Sequence, residues 1–343
     1  MIGFGRYLIW LCGLLVACDR RIAPPSTSDA GALPSAPHEP MHTARTLATL
    51  HHPHEVAVSG TTLYVTDVDY DDPGEAADII AIPLAGGVAS KFARKQRTGQ
   101  SLTIAGSRLL WVIGGDVDRR ESAWVMSSPL SHGAPTRLTK TFVFADNMIA
   151  VLGETVFFFS PVTAESPAAG VMKMELSAGA KPQQIAKADR DGDRQVLAVD
   201  SLHAYWVDNR RIVQASITGG EATVVAPCVQ VRGMLSDNHF LYWTEMGEGT
   251  KDAGSVRRVS VSGGPVEVLA SGLERPWGIA ADDATIYWAE NSDRAGSINK
   301  RAKAGGPVYE IANGQRSPVH LAVDASNVYW GNAETGEVMT VNK

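Results

Sequence analysis

The apolar positions of the chain repeat one short pattern seven times: LYVTD (63–67), LLWVI (109–113), VFFFS (156–160), AYWVD (204–208), LYWTE (241–245), IYWAE (286–290) and VYWGN (328–332). Aligned on Val65, Trp111, Phe158, Trp206, Trp243, Trp288 and Trp330, the copies lie 46, 47, 48, 37, 45 and 42 residues apart. Each follows a shorter apolar stretch and a polar turn, as in HLAVDASNVYW (320–330), which predicts strand, turn, strand. A loop of variable length and a third apolar segment come next, from DIIAIPL in the first unit to EVMTVNK in the last. In six units glycine then marks a tight turn, either as a pair (86–87, 219–220, 263–264, 305–306) or singly (Gly133, Gly179), and a fourth segment such as PVEVLAS (265–271) follows. Glycine supplies the positive φ that short hairpin turns require.

A period of 37 to 48 residues with four strands per unit is the signature of propeller blades. The expected fold is all-β, a seven-bladed β-propeller, with six blades as the alternative. The seventh unit stops at Lys343 before its outer strand, and ARTLATL (44–50) precedes the first unit and has the missing pattern. An N-terminal outer strand completing the last blade closes the ring and removes two sheet edges that would otherwise invite aggregation.

RPWGIAADDATIYWAE (275–290) and LYWTE (241–245) resemble the YWTD repeats of receptor propellers, and PHEVAVSGTTLYVTD (53–67) resembles NHL and streptogramin-lyase repeats. The resemblance covers roughly residues 44–343 and implies a scaffold. The repeated aromatics are core positions, so it carries fold and leaves function to the loops.

The N-terminus departs from this pattern. Arg6 and the apolar run Tyr7–Ala17, too short to span a bilayer, read as a signal peptide over residues 1–17. The run ends in Leu15-Val16-Ala17-Cys18, which resembles the lipobox of bacterial lipoproteins; the resemblance implies cleavage before Cys18 and acylation of its thiol. More than one acyl chain anchors a protein stably. Residues 18–42, rich in Pro, Ser and Ala, read as a flexible tether, and 43–343 as the propeller. The implied location is the cell envelope, on the inner or the outer membrane. With Cys12 in the signal peptide and Cys18 acylated, Cys228 is left alone and reads as a small buried hydrophobe.

A net charge of −6 with scattered Lys and Arg argues against a nucleic-acid partner. Propeller loops that lead into the innermost strands gather around a central channel, and the aligned positions there are His54, Gln100, Asn147, Gln195, Arg232, Trp277 and Val319. The next position adds Glu55 and His320, in the first and last blades. With His51 and His52 nearby, His54, Glu55 and His320 make the sharpest chemical cluster, suited to a divalent metal or to general acid–base work. Two acidic stretches, 67–78 and 189–194, invite a calcium reading; in the second, Asp189, Asp191 and Asp193 form a weak loop match with its glycine misplaced.

No nucleotide loop, GxSxG, HExxH or CxxC occurs. The functional expectation is therefore a membrane-anchored, non-enzymatic scaffold that binds a protein, peptide or glycan and needs no cofactor. The alternative is a metal-dependent propeller lyase or lactonase centred on His54, Glu55 and His320, as the resemblance to streptogramin lyase implies.

Overall fold

The computed structural model describes residues 43–70, 76–97, 100–113, 123–131, 133–141, 149–160, 169–188, 196–248, 252–292 and 295–343. The expected signal peptide and tether, residues 1–42, lie outside them. Among the described residues, strands form seven four-stranded antiparallel sheets, and no helix is long and apolar enough to cross a membrane. Six sheets are meanders of four consecutive strands; the first runs through Pro53–Ser59, Thr62–Val68, Ala76–Pro83 and Ser90–Arg97. The seventh takes Pro318–Val323, Asn327–Asn332 and Glu337–Asn342 from the C-terminus and its outer strand, Arg45–Thr49, from the N-terminus.

That closure is the one expected from ARTLATL. Arg45 lies opposite Thr340 and Thr49 opposite Glu337, and the Leu50 N–H donates to the Gly336 carbonyl at 2.7 Å. Gly336 has φ +76°, and a Cβ there would collide with the Leu50 carbonyl, so the closing contact requires glycine. Each innermost strand packs beside the next, and the first blade's Pro53–Ser59 touches both Gln100–Ala105 and Pro318–Val323, completing the ring.

A blade cannot bury both its faces alone, and the hydrophobic clusters form between neighbours. Trp206 of the fourth blade packs with Phe157 and Val171 of the third, and Trp330 of the seventh with Tyr287 and Ile298 of the sixth. Across the seam, Tyr329 and Val338 meet Val56, Leu63 and Val65 of the first blade, with Leu47, Ala48 and Leu50 alongside. All seven aligned positions of the repeat are 0–1% exposed, which is why each holds an apolar side chain, Trp in five blades, Phe158 in the third and Val65 in the first. Cys228 is buried, as expected.

In the fourth to seventh blades the turns from first to second strand share one device. Asp200, Asp237, Asp282 and Asp324 each accept the backbone N–H groups two and three residues on and the hydroxyl of the tyrosine five residues on. In two cases the next blade adds a cation: Lys303 Nζ lies 2.8 Å from Asp237 and Lys343 Nζ 2.6 Å from Asp282. Burial works to raise the Asp237 and Asp282 carboxyls, but the lysine and the backbone donors outweigh it and hold both below the usual carboxylate range. A folded-state pKa depressed in this way adds stability at neutral pH. That contribution is lost as pH falls from about 4, the unfolded value, through the folded one. Lys343→Met is therefore expected to cost up to about 1 kcal/mol at pH 7 and less at pH 3, read by urea unfolding at both; an equal cost at the two pH values would refute the ion-pair account.

Candidate functional site

The residues expected at the channel rim owe their position to irregular backbone. Pairing of the first and second strands slips between Pro53 and Val56, Gln100 and Thr103, Val231 and Gly233, Pro276 and Ile279, and Pro318 and Leu321. The residues thus freed from the ladder include His54, Glu55, Arg232, Trp277 and His320. Bulges of this kind bend a strand and re-aim its side chains, and they concentrate beside functional sites. The second strand supplies the partner for the freed backbone. Thr66 Oγ1 accepts the Glu55 N–H at 2.9 Å, and Thr244 Oγ1 accepts the Gly233 N–H at 2.9 Å and donates to the Trp277 carbonyl at 2.6 Å. The threonine of the LYVTD and LYWTE repeats thus fixes the rim.

His54, Glu55 and His320 come together where the last blade meets the first. Glu55 Oε1 lies 3.3 Å from His320 Nε2 and 3.8 Å from His54 Nδ1, and the imidazole centroids are 5.2 Å apart. One ligand atom from each residue falls within 4.8 Å of the others. The Glu55 side chain is only 10% exposed. Burial pushes its carboxyl up, but His320, His54 and the Ser101 N–H together pull it below the usual range, so Glu55 is ionised. Ser101 is buried at φ +53°, a strained conformation for a residue with a side chain, at the point where its N–H meets that carboxylate.

Glu55 and His320 open onto a cavity of about 280 Å³ lined from all seven blades, the central channel. Ser101, Thr103 and Ser236 are its other polar side chains, and the aliphatic side chains of Ile149, Val151, Leu197, Val199, Met234, Ile279 and Leu321 share the lining with exposed polar atoms. In the fifth and sixth blades the Arg232 guanidinium stacks over Trp277 at 4.9 Å. Gly278, where the seventh blade has His320, leaves room for that blade: a Cβ would come within 2.8 Å of the His320 Cα.

Not every expected residue joins this site. Val319 is buried, the Gln100 side chain is outside the described set, and Asn147, Gln195, Asp189, Asp191 and Asp193 lie outside the described residues. His51 and His52 are not in the cluster. His51 Nδ1 lies 3.0 Å from Asp67 Oδ2, which raises the imidazole pKa, and His52 Nδ1 lies 2.9 Å from the Ala333 carbonyl. His51 instead borders a second cavity, of about 500 Å³, beside the closing strand. Asp67 and Asp78, from the first acidic stretch, also border it; Asp78 pairs with Lys91 and accepts the Lys95 N–H at 2.8 Å. Among the described residues only His54, Glu55 and His320 form a group fit to hold a metal ion.

No protein-family model and no curated protein matches the chain. Many solved structures do. One is a catalytically inactive virginiamycin B lyase from Staphylococcus aureus with quinupristin: 13% identity over 88% of this chain and 98% of that one, TM-score 0.63. The β-propeller domain of the trilobed protease from Pyrococcus furiosus, described as having an open velcro topology, matches at 9% identity over 84% and 95%, TM-score 0.54. TolB from Acinetobacter baumannii matches at 10% identity over 82% and 63%, TM-score 0.50. At these identities the likeness is one of fold, and it agrees with the strand order: the chain is a seven-bladed β-propeller.

Proposed function

We propose that the protein is a cell-envelope lipoprotein, anchored through Cys18 and held off the membrane by residues 18–42, whose propeller binds a protein, peptide or glycan at the channel rim without turning it over. The anchor rests on the lipobox at Leu15–Cys18 and the signal-like run before it. The binding face rests on one observation: backbone bulges at the start of the innermost strands free His54, Arg232, Trp277 and His320 from the ladder, and His320 lines a channel shared by all seven blades. Arg stacked on Trp is a pairing suited to binding surfaces, where both residue types are enriched at energetic hot spots.

The test is a binding panel of peptidoglycan fragments and extended peptides, run on the full chain in detergent. Arg232→Ala combined with Trp277→Ala is expected to weaken the best ligand at least about tenfold, the scale of a hot-spot loss. Val88→Ser, at an exposed position in an outer turn, is expected to leave it unchanged. Equal affinity in the double variant would remove the rim from the account. Cys18→Ser is expected to release the protein from the membrane fraction, and continued retention would remove the anchor.

A second reading, a metal-dependent lyase or lactonase, is favoured by the convergence of His54, Glu55 and His320 on one side of the channel. It requires turnover of an ester or lactone that is lost in His320→Ala.

A further inference from the structure

We infer that His54, Glu55 and His320 bind a divalent transition-metal ion of the Zn²⁺ class, and that its open position takes an anionic oxygen of a small molecule seated in the channel. The inference shares residues with the enzymatic reading but holds whether the ligand is transformed or only held.

The donor set selects the class of ion. Two imidazoles and one carboxylate suit Zn²⁺ and its neighbours, whereas Mg²⁺ and Ca²⁺ favour all-oxygen shells. Spacing agrees: ligands about 2.0–2.2 Å from a tetrahedral ion stand roughly 3.3–3.5 Å apart. Glu55 Oε1 is 3.3 Å from His320 Nε2 and 3.8 Å from His54 Nδ1, and the ligand atoms of the set lie within 4.8 Å of one another, so closing it around an ion needs the His54 imidazole, the most exposed of the three, to move inward by roughly 1 Å. The backbone of Glu55 is held by Thr66 and its carboxylate by the Ser101 N–H, outer-shell contacts that keep the ligand in place.

The same set fixes what binds next. Three protein ligands leave a tetrahedral ion one open position, the arrangement of sites that take up water or substrate. Two neutral imidazoles, one carboxylate and a doubly charged ion sum to one positive charge, which favours an anionic oxygen. The channel's volume of about 280 Å³ restricts the ligand to a small molecule, and its lining, aliphatic side chains beside exposed polar atoms, fits a body of mixed polarity.

The competing arrangement is an ion cluster with no metal, in which a protonated imidazole balances Glu55. Full-length protein in detergent, stripped with EDTA, is titrated calorimetrically with ZnCl₂ at pH 7, and Co²⁺ is added separately to read tetrahedral coordination from its visible spectrum. One Zn²⁺ per chain is expected, with tetrahedral Co²⁺ bands. His320→Ala and Glu55→Gln are expected to weaken binding beyond the roughly 10–100-fold typical of outer-shell changes, and His51→Ala to leave it unaltered. Should Glu55→Gln fail to fold, His54→Ala, on a more exposed side chain, gives the same reading. No binding by the wild type, or binding that survives His320→Ala and disappears with His51→Ala, would overturn the site. Hexanohydroxamate, an oxygen donor on a short alkyl chain, is expected to bind the Zn²⁺-loaded form at least tenfold more tightly than the stripped one; equal affinities would overturn the ligand. Zn²⁺ binding with no ester or lactone turnover would support the inference and count against the enzymatic reading.

Discussion

Removing residues 43–49 is expected to open the ring and cost on the order of 5 kcal/mol, much of the 5–15 kcal/mol that holds a typical domain folded. The loss has two sources. The Glu337–Asn342 strand loses its ladder partner, at about 0.5–1.5 kcal/mol for each backbone hydrogen bond, and its edge is exposed to other chains. Leu47 and Ala48 leave the cluster they share with Tyr329, Val338 and Val56, so the seam between last and first blades loses part of its apolar cover. Because Glu55 and His320 meet across that seam, the truncated protein should also lose Zn²⁺ affinity although no ligand is removed. The comparison is between residues 43–343 and 50–343, by urea midpoint and light scattering. Equal midpoints with no aggregation would show that the N-terminal strand is dispensable.

Trp330→Ala is expected to cost about 3–5 kcal/mol, the range for deleting a large aromatic from a packed core. Trp330 is fully buried between the sixth and seventh blades, and its indole N–H donates to Gln315 Oε1 at 3.0 Å and Asn332 Oδ1 at 3.2 Å. The Gln315–Asn332 hydrogen bond, 3.0 Å, would remain and limit the polar part of the loss. Trp277→Ala, at a partly exposed rim position, should cost far less. Urea unfolding of the two variants separates core from rim tryptophans, and similar costs would contradict the assignment of Trp277 to the binding face.

Much of this architecture is legible in the sequence because one position per blade must be apolar and buried. Val65, Trp111, Phe158, Trp206, Trp243, Trp288 and Trp330 fill the spaces between blades, so their spacing counts the blades directly. Closure is legible because a seventh unit without an outer strand and an unassigned strand before the first unit complete each other. The meeting of His54 and Glu55 with His320 follows from that closure, since residues at equivalent rim positions of the first and last blades become neighbours.

The local geometry is hidden. Alternation with period two gives no sign that two residues on one strand face a single partner, so the bulges at the rim cannot be read from it. The threonine of the TD and TE motifs is the one residue-level signal, since its hydroxyl occupies the bonds the bulge frees. His51 and His52, which precede the strand that begins at Pro53, bond to Asp67 and Ala333 instead of joining the cluster. The strained Ser101 and the stacking of Arg232 on Trp277 depend on the fit between blades and have no sequence signature.

The most direct test of the account is a Zn²⁺-edge anomalous difference map from crystals grown with ZnCl₂. The account predicts one strong peak about 2.0–2.2 Å from atoms of His54, Glu55 and His320, at the mouth of the channel where the two ends of the propeller meet. A peak confined to His51 and Asp67, or no peak at the channel mouth, would contradict it.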